Sequence, residues 1–518
     1  MTRIEKLQAL HGMFDVLVIG GGATGLGIAV DAVTRGYRTA LVESGDFAQA
    51  TSSRATKLVH GGVRYLASGQ IHLVYEALHE RKVMLNSAPH LVHPLGFITP
   101  AYKWSDIPFY GAGLKLYDLL SGTSSLGRTR ILSAKATRLL QPGIASSGLK
   151  GSILYFDGQF DDARFALALA RTAEDHGALI CNYVRCLSLT KQKGSVTGAV
   201  VQDVETGLEI TVSASVVINA TGIYTDQIRH QDDARRPNIL TTSRGTHLVL
   251  PGSVLNSTHA IMVPKTLDGR IIFAIPWLGQ VVVGTTDLPA AAVELEPGHL
   301  ASEIDFLIET INPYLAKPVS RDDVLSVFSG LRPLVTGKAG TTSKLSREHH
   351  IDRSPSGLIT VAGGKWTTYR RMAQDTLDFA ARHKMLEARK CSTNTLKLHG
   401  APADAPPDGP FARYGAEARA VESIIQEGHQ FAEKLDEELP YILAEVVFAV
   451  REEMARTVED VLSRRTRALL LNARAAQRAA LPVARILADH LGRDDQWVQQ
   501  QVSSFRTLAQ RFYLATPL

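Results

Sequence analysis

Apolar positions near the amino terminus come in a short β-branched run, FDVLVI from Phe14 to Ile19, which predicts a buried parallel strand. GGGATGLG follows, then the helical pattern IAVDAVTRG ending at Gly36, then YRTALVE, a second strand ending at Glu43. ASVVINATG, residues 214–222, predicts another buried strand with small residues at its carboxyl end. GLITVAGGKWTTYRRMAQDTLDFAARH, residues 357–383, reads as strand, glycine pair and helix. Between these pieces HAIMVPK, GRIIFAIPW and QVVVGTTD predict three consecutive antiparallel strands, with Asp268-Gly269 as the turn between the first two. From Ala401 the character changes. APADAPPDGP is a proline-rich linker, and the chain beyond it carries amphipathic helical spacing to Leu518.

The pattern therefore predicts an α/β fold. A Rossmann-like cofactor-binding region is interleaved with a β-rich antiparallel substrate region, and an all-α region closes the chain. The expected boundaries are 1–100, 140–240 and 350–395 for the cofactor region, 100–140 and 241–349 for the substrate region, and 405–518 for the helices.

Composition narrows the class without deciding it. The chain has 518 residues, 45% hydrophobic and 21% charged, with a formal net charge of +5. These are values of an ordinary globular protein, and the mild positive charge is too small to argue for nucleic acid. The three cysteines, Cys181, Cys186 and Cys391, form no CxxC pair and no zinc-like cluster, so neither a disulfide framework nor a metal site is expected. That favours a reducing compartment. The first residues, MTRIEKLQALHGMFD, lack the apolar core of a signal peptide, and no apolar run is long enough to cross a bilayer.

The chemistry begins at the first turn. Gly20, Gly22 and Gly25 occupy GxGxxG positions between strand and helix. The first allows a tight turn, the second lets backbone approach a pyrophosphate, and the third lets helix and strand pack closely. Ala23 and Thr24 open the helix whose amino end would hold the pyrophosphate. Glu43 is placed to accept from ribose hydroxyls, which disfavours NADP and leaves FAD and NAD. Thr221 and Gly222 end the later strand, where a cofactor lies against the sheet. Gly363 and Gly364 precede a helix start that carries Lys365 and Thr367, and the helix dipole there would stabilise an anionic flavin ring. KLVHGGVRYL, residues 57–66, crowds Lys57, His60, Arg64 and Tyr65 around Gly61 and Gly62, after the hydroxyl-rich ATSSRAT. SGLRPL sets Arg332 before a proline, in an extended conformation.

Taken in order, IGGGATG, TSSRATKLVHGGVRYL, YFDGQFDDAR, NATG, IPWLGQVVVGTTD, SGLRPL and GGKWTTYRRMA make the chain resemble the FAD-dependent glycerol-3-phosphate dehydrogenase family, within the glycine/D-amino-acid oxidase superfamily. The resemblance covers nearly the whole chain. It implies FAD as cofactor and oxidation of sn-glycerol 3-phosphate to dihydroxyacetone phosphate. A hydride would pass from C2 to flavin N5 and electrons onward to a quinone. It also implies that Thr51, Ser52, Ser53 and Lys57 lie against FAD, and that Arg64, Tyr65, Arg332 and Lys365 receive the substrate phosphate. His60 and His247 are the candidates by type for the proton acceptor, and Arg332 could instead stabilise a developing alkoxide.

The implied setting is cytoplasmic, with peripheral attachment to the inner face of the membrane and a homodimer as assembly. AYKWSDIPFYGAGLKLYDLL, residues 101–120, mixes aromatics with lysines in a way that suits either an interfacial or a buried helix. The rival readings are a glycerol-3-phosphate oxidase using oxygen and an FAD-dependent amine oxidoreductase of the same superfamily. The lack of an obvious insertion between Gly222 and Arg332 favours the dehydrogenase over the oxidase.

Overall fold

A computed structural model describes residues 1–62, 70–264, 266, 269–336, 349–404 and 408–514. The predicted β-turn-α-β unit forms at the start. Strand Met13–Ile19 leads through the glycine turn into helix Ala23–Thr34, and strand Thr39–Val42 lies parallel beside the first. On the other side of Met13–Ile19 runs Glu209–Asn219, also parallel, and beyond it Ile359–Gly363. The spatial order is His349–Arg353, Ile359–Gly363, Glu209–Asn219, Met13–Ile19, Thr39–Val42, Leu179–Cys181. Strands from three distant stretches thus build one sheet, eight-stranded among the described residues once the antiparallel pair Val184–Gln192 and Ser195–Asp203 is added. Helices Ala23–Thr34, Asp162–Asp175 and Tyr369–Arg382 cover one face and share a core that includes Val16, Leu26, Phe165, Leu169, Tyr369 and Leu377. Strands buried on both faces need continuous apolar runs, as the sequence of Met13–Ile19 has.

The second sheet has ten strands among the described residues and is mostly antiparallel. The predicted meander is present as Ala260–Val263, Ile272–Trp277 and Gln280–Gly284, each paired antiparallel with the next. The structure corrects the expected boundaries at three strands. Leu58–Val59, Val92–Ala101 and Gly151–Phe160 fall in stretches assigned to the cofactor region, yet they lie in the second sheet, where the last two pair along ten register positions and Leu58–Val59 pairs with Gly151–Phe160. Val92–Ala101 also joins Ala260–Val263 in parallel. The physical reason is register: alternating apolar positions fix a strand's buried face, but not which sheet it enters.

The carboxyl-terminal region is helical, with Ala418–Glu427, Leu443–Glu452, Ala480–Leu491 and Asp495–Ala509 as its longer members. Its core includes Val461, Leu470, Val483 and Phe505 and continues into Val249, Trp277, Val282 and Phe328 of the second sheet. The helices are therefore packed against the sheet that carries His247 and Arg332. Among the described residues no helix is long and apolar enough to cross a membrane.

Candidate active site

The first half of the site is a cradle at the carboxyl end of the parallel sheet. Gly20 has φ of +111°, and a Cβ there would lie 2.6 Å from the Ala220 carbonyl oxygen, so the first turn and the Ala-Thr-Gly turn pass backbone to backbone. A Cβ on Gly25 would sit 1.9 Å from the Gly20 carbonyl oxygen. Gly22 caps the helix without any side-chain hydrogen bond, and Gly22, Ala23 and Thr24 remain partly accessible. Ser52 Oγ accepts from the Ala23 N–H at 3.0 Å, which leaves its own proton to give to a ligand. Glu43 accepts from the N–H groups of Gly21 at 2.6 Å and Gly45 at 2.9 Å. Burial raises its pKa above the ordinary carboxylate value. Thr221 donates to Asn219 at 2.7 Å, and Gly222 faces open space. An uncapped helix end, bare backbone and a hydroxyl donor fit the pyrophosphate of a dinucleotide, so these residues fit FAD.

The late strand brings the third piece to the same place. Gly363 and Gly364 both have φ of +76°, which turns the chain into the short helical turn Trp366–Thr368. Trp366 Nε1 donates to the Ser52 carbonyl at 2.8 Å and so ties this turn to the cradle. Lys365 is half-buried at the turn's start, and Thr367 is buried within it.

The second half lies on one face of the antiparallel sheet. Strands Leu240–Pro251 and Ser326–Val335 pair so that Ser243 faces Arg332, Gly245 faces Gly330 and His247 faces Phe328. Alternate residues share a face, so Arg332 and His247 stand at two ends of a patch floored by Gly245 and Gly330. Arg332 donates to Asp287 at 3.1 Å, to the Thr285 hydroxyl at 3.2 Å and to the Thr286 carbonyl at 3.1 Å. A Cβ on Gly245 would reach 2.3 Å from the guanidinium. Thr51 Oγ1 donates to the Leu331 carbonyl at 2.6 Å, so the hydroxyl-rich segment crosses from the cradle to this face.

His247 is 2% exposed and stacked on Phe328, with ring centroids 4.6 Å apart. Its Nε2 lies 3.0 Å from the Thr56 hydroxyl. Burial first, then the charges of Lys57 and Arg332, hold its pKa well below 6.5, so the imidazole is neutral at physiological pH. A neutral imidazole can accept a proton. Gly284 leaves the ring room, since a Cβ there would come within 2.2 Å of His247 Cδ2.

Two expectations are corrected. Lys57 was expected against the cofactor. Its ammonium is instead fully buried and gives its hydrogen bonds to the Ser53 carbonyl and both oxygens of Asp162. Three donors are then spent and none remains for a ligand. Ser53 also turns inward: it is buried, its hydroxyl lies 3.4 Å from the Ala50 carbonyl, and it accepts from Arg54. His60 is half-buried before Gly61, whose N–H donates to Tyr117 Oη at 2.8 Å. Gly62 has φ of +77°. Arg64 and Tyr65 lie outside the described residues. Asp287, Thr56, Gly245 and Gly284 were missed, because each acts across strands and its residue type alone carries no signal.

Comparison with known proteins shows the family. Residues 15–370 match the FAD-dependent oxidoreductase family, and residues 391–498 match the carboxyl-terminal domain of alpha-glycerophosphate oxidase. The chain is 42% identical to the mitochondrial glycerol-3-phosphate dehydrogenase of Macaca fascicularis over 95% of its own length and 72% of the relative's. Against the Arabidopsis thaliana mitochondrial enzyme the identity is 38%, covering 96% and 86%. A crystal structure of the Bacillus halodurans glycerol-3-phosphate dehydrogenase complexed with FAD superposes with a TM-score of 0.80 at 30% identity, covering 98% of this chain and 97% of that one. L-alpha-glycerophosphate oxidase from Mycoplasma pneumoniae, 19% identical with a TM-score of 0.55, shares the fold. With residues 15–370 matched by the family model and relatives about 42% identical covering most of the chain, the chain belongs to the FAD-dependent oxidoreductases, in the family of the glycerol-3-phosphate dehydrogenases.

Proposed function

We propose that the chain oxidises sn-glycerol 3-phosphate to dihydroxyacetone phosphate and passes the electrons to a quinone at a membrane surface. The observation that carries this reading is the glycine-floored face bearing Arg332 at one end and neutral His247 at the other. FAD bound in the cradle would supply the acceptor for the hydride at C2 of the alcohol. The cradle residues Gly20, Gly22, Ala23, Thr24, Gly25, Glu43, Ser52, Thr221, Gly222, Gly363 and Gly364 would hold it. His247 is the group proposed to accept the hydroxyl proton, since burial keeps it neutral and its Thr56 contact fixes the ring. Arg332, held by Asp287, Thr285 and the Thr286 carbonyl, sets a positive charge beside the substrate oxygens, and Lys365 adds a second point charge. Arg64 and Tyr65 belong to the same proposal on sequence grounds.

Peripheral attachment is supported by helix Asp106–Ser121. It buries Leu114 and Tyr117, while Trp104 just before it and its own Phe109 and Leu119 are 70%, 74% and 76% exposed beside Lys103 and Lys115. Aromatic and apolar side chains next to lysines suit the headgroup layer. The inner membrane face and a homodimer complete the proposal, the latter readable by light scattering. The oxygen-using alternative draws on the oxidase-type carboxyl-terminal match. The holoprotein, reduced by glycerol 3-phosphate without oxygen, decides between them: faster reoxidation by a quinone analogue supports the dehydrogenase, faster reoxidation by oxygen the oxidase.

A further inference from the structure

The helical region sends one side chain to the edge of this site. Arg467 is 1% exposed and sits in a left-handed conformation, φ +67° and ψ +10°, at the start of a short helical turn. That conformation is uncommon for a residue other than glycine. Its guanidinium donates to the Ser463 carbonyl at 2.9 Å, to the Ser53 carbonyl at 3.0 Å and to Asp162 at 2.8 Å. The Trp277 ring lies 5.5 Å away. Asp162 also takes both remaining donors of Lys57 and accepts from the Ala55 N–H at 3.0 Å. Residues 53, 55 and 57 are thus tied to one carboxylate and one guanidinium, while Thr56 between them extends its hydroxyl to His247.

We propose that Arg467 is a positioning residue of the active site: with Asp162 it clamps segment 53–57 so that Thr56 holds His247 in place. This rests on the reading of His247 as proton acceptor, and it gives the helical region a part in the chemistry. Lys57 reports on the clamp. Facing it are Asp162 and Asp161 from helix Asp162–Asp175 and its cap, Arg467 from the helical region, neutral His247, and the rings of Trp277 and Phe328. Burial, partly offset by Asp162 and reinforced by Arg467, lowers its pKa to about 7. A neighbouring cation disfavours a charged ammonium, so removing the Arg467 charge moves this titration upward.

The test compares full-length holoproteins carrying R467M and R467K. It follows anaerobic flavin reduction by glycerol 3-phosphate and the visible circular dichroism of bound FAD between acid and alkaline pH. In R467M the reduction rate should fall about 10-fold or more, and the inflection near neutrality should rise by about one pH unit. In R467K the inflection should stay in place and the rate should lie between the two. An R467M holoprotein that melts earlier but keeps the wild-type rate and inflection overturns the proposal, because only a structural role then remains. Should R467M not retain FAD, R467K decides: a several-fold slower rate with an unmoved inflection supports the clamp, and a wild-type rate overturns it. If glycerol 3-phosphate reduces none of the proteins, the substrate reading fails separately. The dichroism inflection still reads the clamp, displaced in R467M if the proposal holds and unmoved if it does not.

Discussion

At the scale of single residues, the site works through what its glycines leave out as much as through what its polar groups supply. Gly245 and Gly284 make room for Arg332 and His247. G245A should push the guanidinium off Asp287 and raise KM for glycerol 3-phosphate by about 10-fold or more, with FAD content unchanged; steady-state kinetics against flavin absorbance checks this. H247N should lower the rate of flavin reduction by about 100-fold or more while substrate still binds, read by stopped flow. Arg332 and His247 were legible as types, a restricted arginine and a titratable ring. The glycines opposite them were not, because clearance for a neighbour is a property of strand register and no single strand's sequence states it. Lys57 misled for a related reason. A lysine among glycines and hydroxyls looks ligand-facing until Asp162, 105 positions away, is found beside it.

At the scale of elements, the strand-turn-helix opening was legible because its chemistry is local. The tight turn, the close approach and the helix end all fall within a few residues. G25A should therefore yield folded but colourless protein, since a Cβ 1.9 Å from a carbonyl oxygen forces the turn open. The ratio of visible to ultraviolet absorbance measures it. Strands Val92–Ala101 and Gly151–Phe160 were read into the wrong region because alternation is the same in either sheet. A second element-scale consequence lies where the chain leaves the parallel-sheet region. His90 packs against Gly400 and Gly415, and burial, reinforced by the charge on Arg164, lowers its pKa to about 4. Below pH 6.5 the unfolded chain binds a proton that the folded one refuses, so stability falls as pH drops from 6.5 towards 4. The loss reaches about 3 kcal/mol at the lower end. H90F should flatten this stretch of the melting temperature against pH, as scanning fluorimetry would show.

At the scale of the whole molecule, the helical region is bound by buried charge. Asp46, beside the cofactor turn, accepts from Arg464 and Arg465, both fully buried, and Arg164 pairs with Glu453 across the same seam. Removing one partner of such a set leaves an uncompensated charge, which costs about 3–5 kcal/mol. D46N should accordingly lower the melting temperature sharply, as scanning fluorimetry would show. The SRRTR run, residues 463–467, falls in the stretch that reads as amphipathic helix, and its tie to the cofactor region is not local: Asp46 and Asp162 lie some 300 to 400 positions away. On the opposite scale of interaction, W104S with F109S should weaken sedimentation with anionic liposomes and leave flavin reduction in solution intact. The substrate is decided by adding sn-glycerol 3-phosphate to the holoprotein without oxygen and following the flavin band at about 450 nm. Rapid bleaching is expected, with the yellow colour returning faster on a quinone analogue than on oxygen. A holoprotein that stays yellow rules the assigned substrate out.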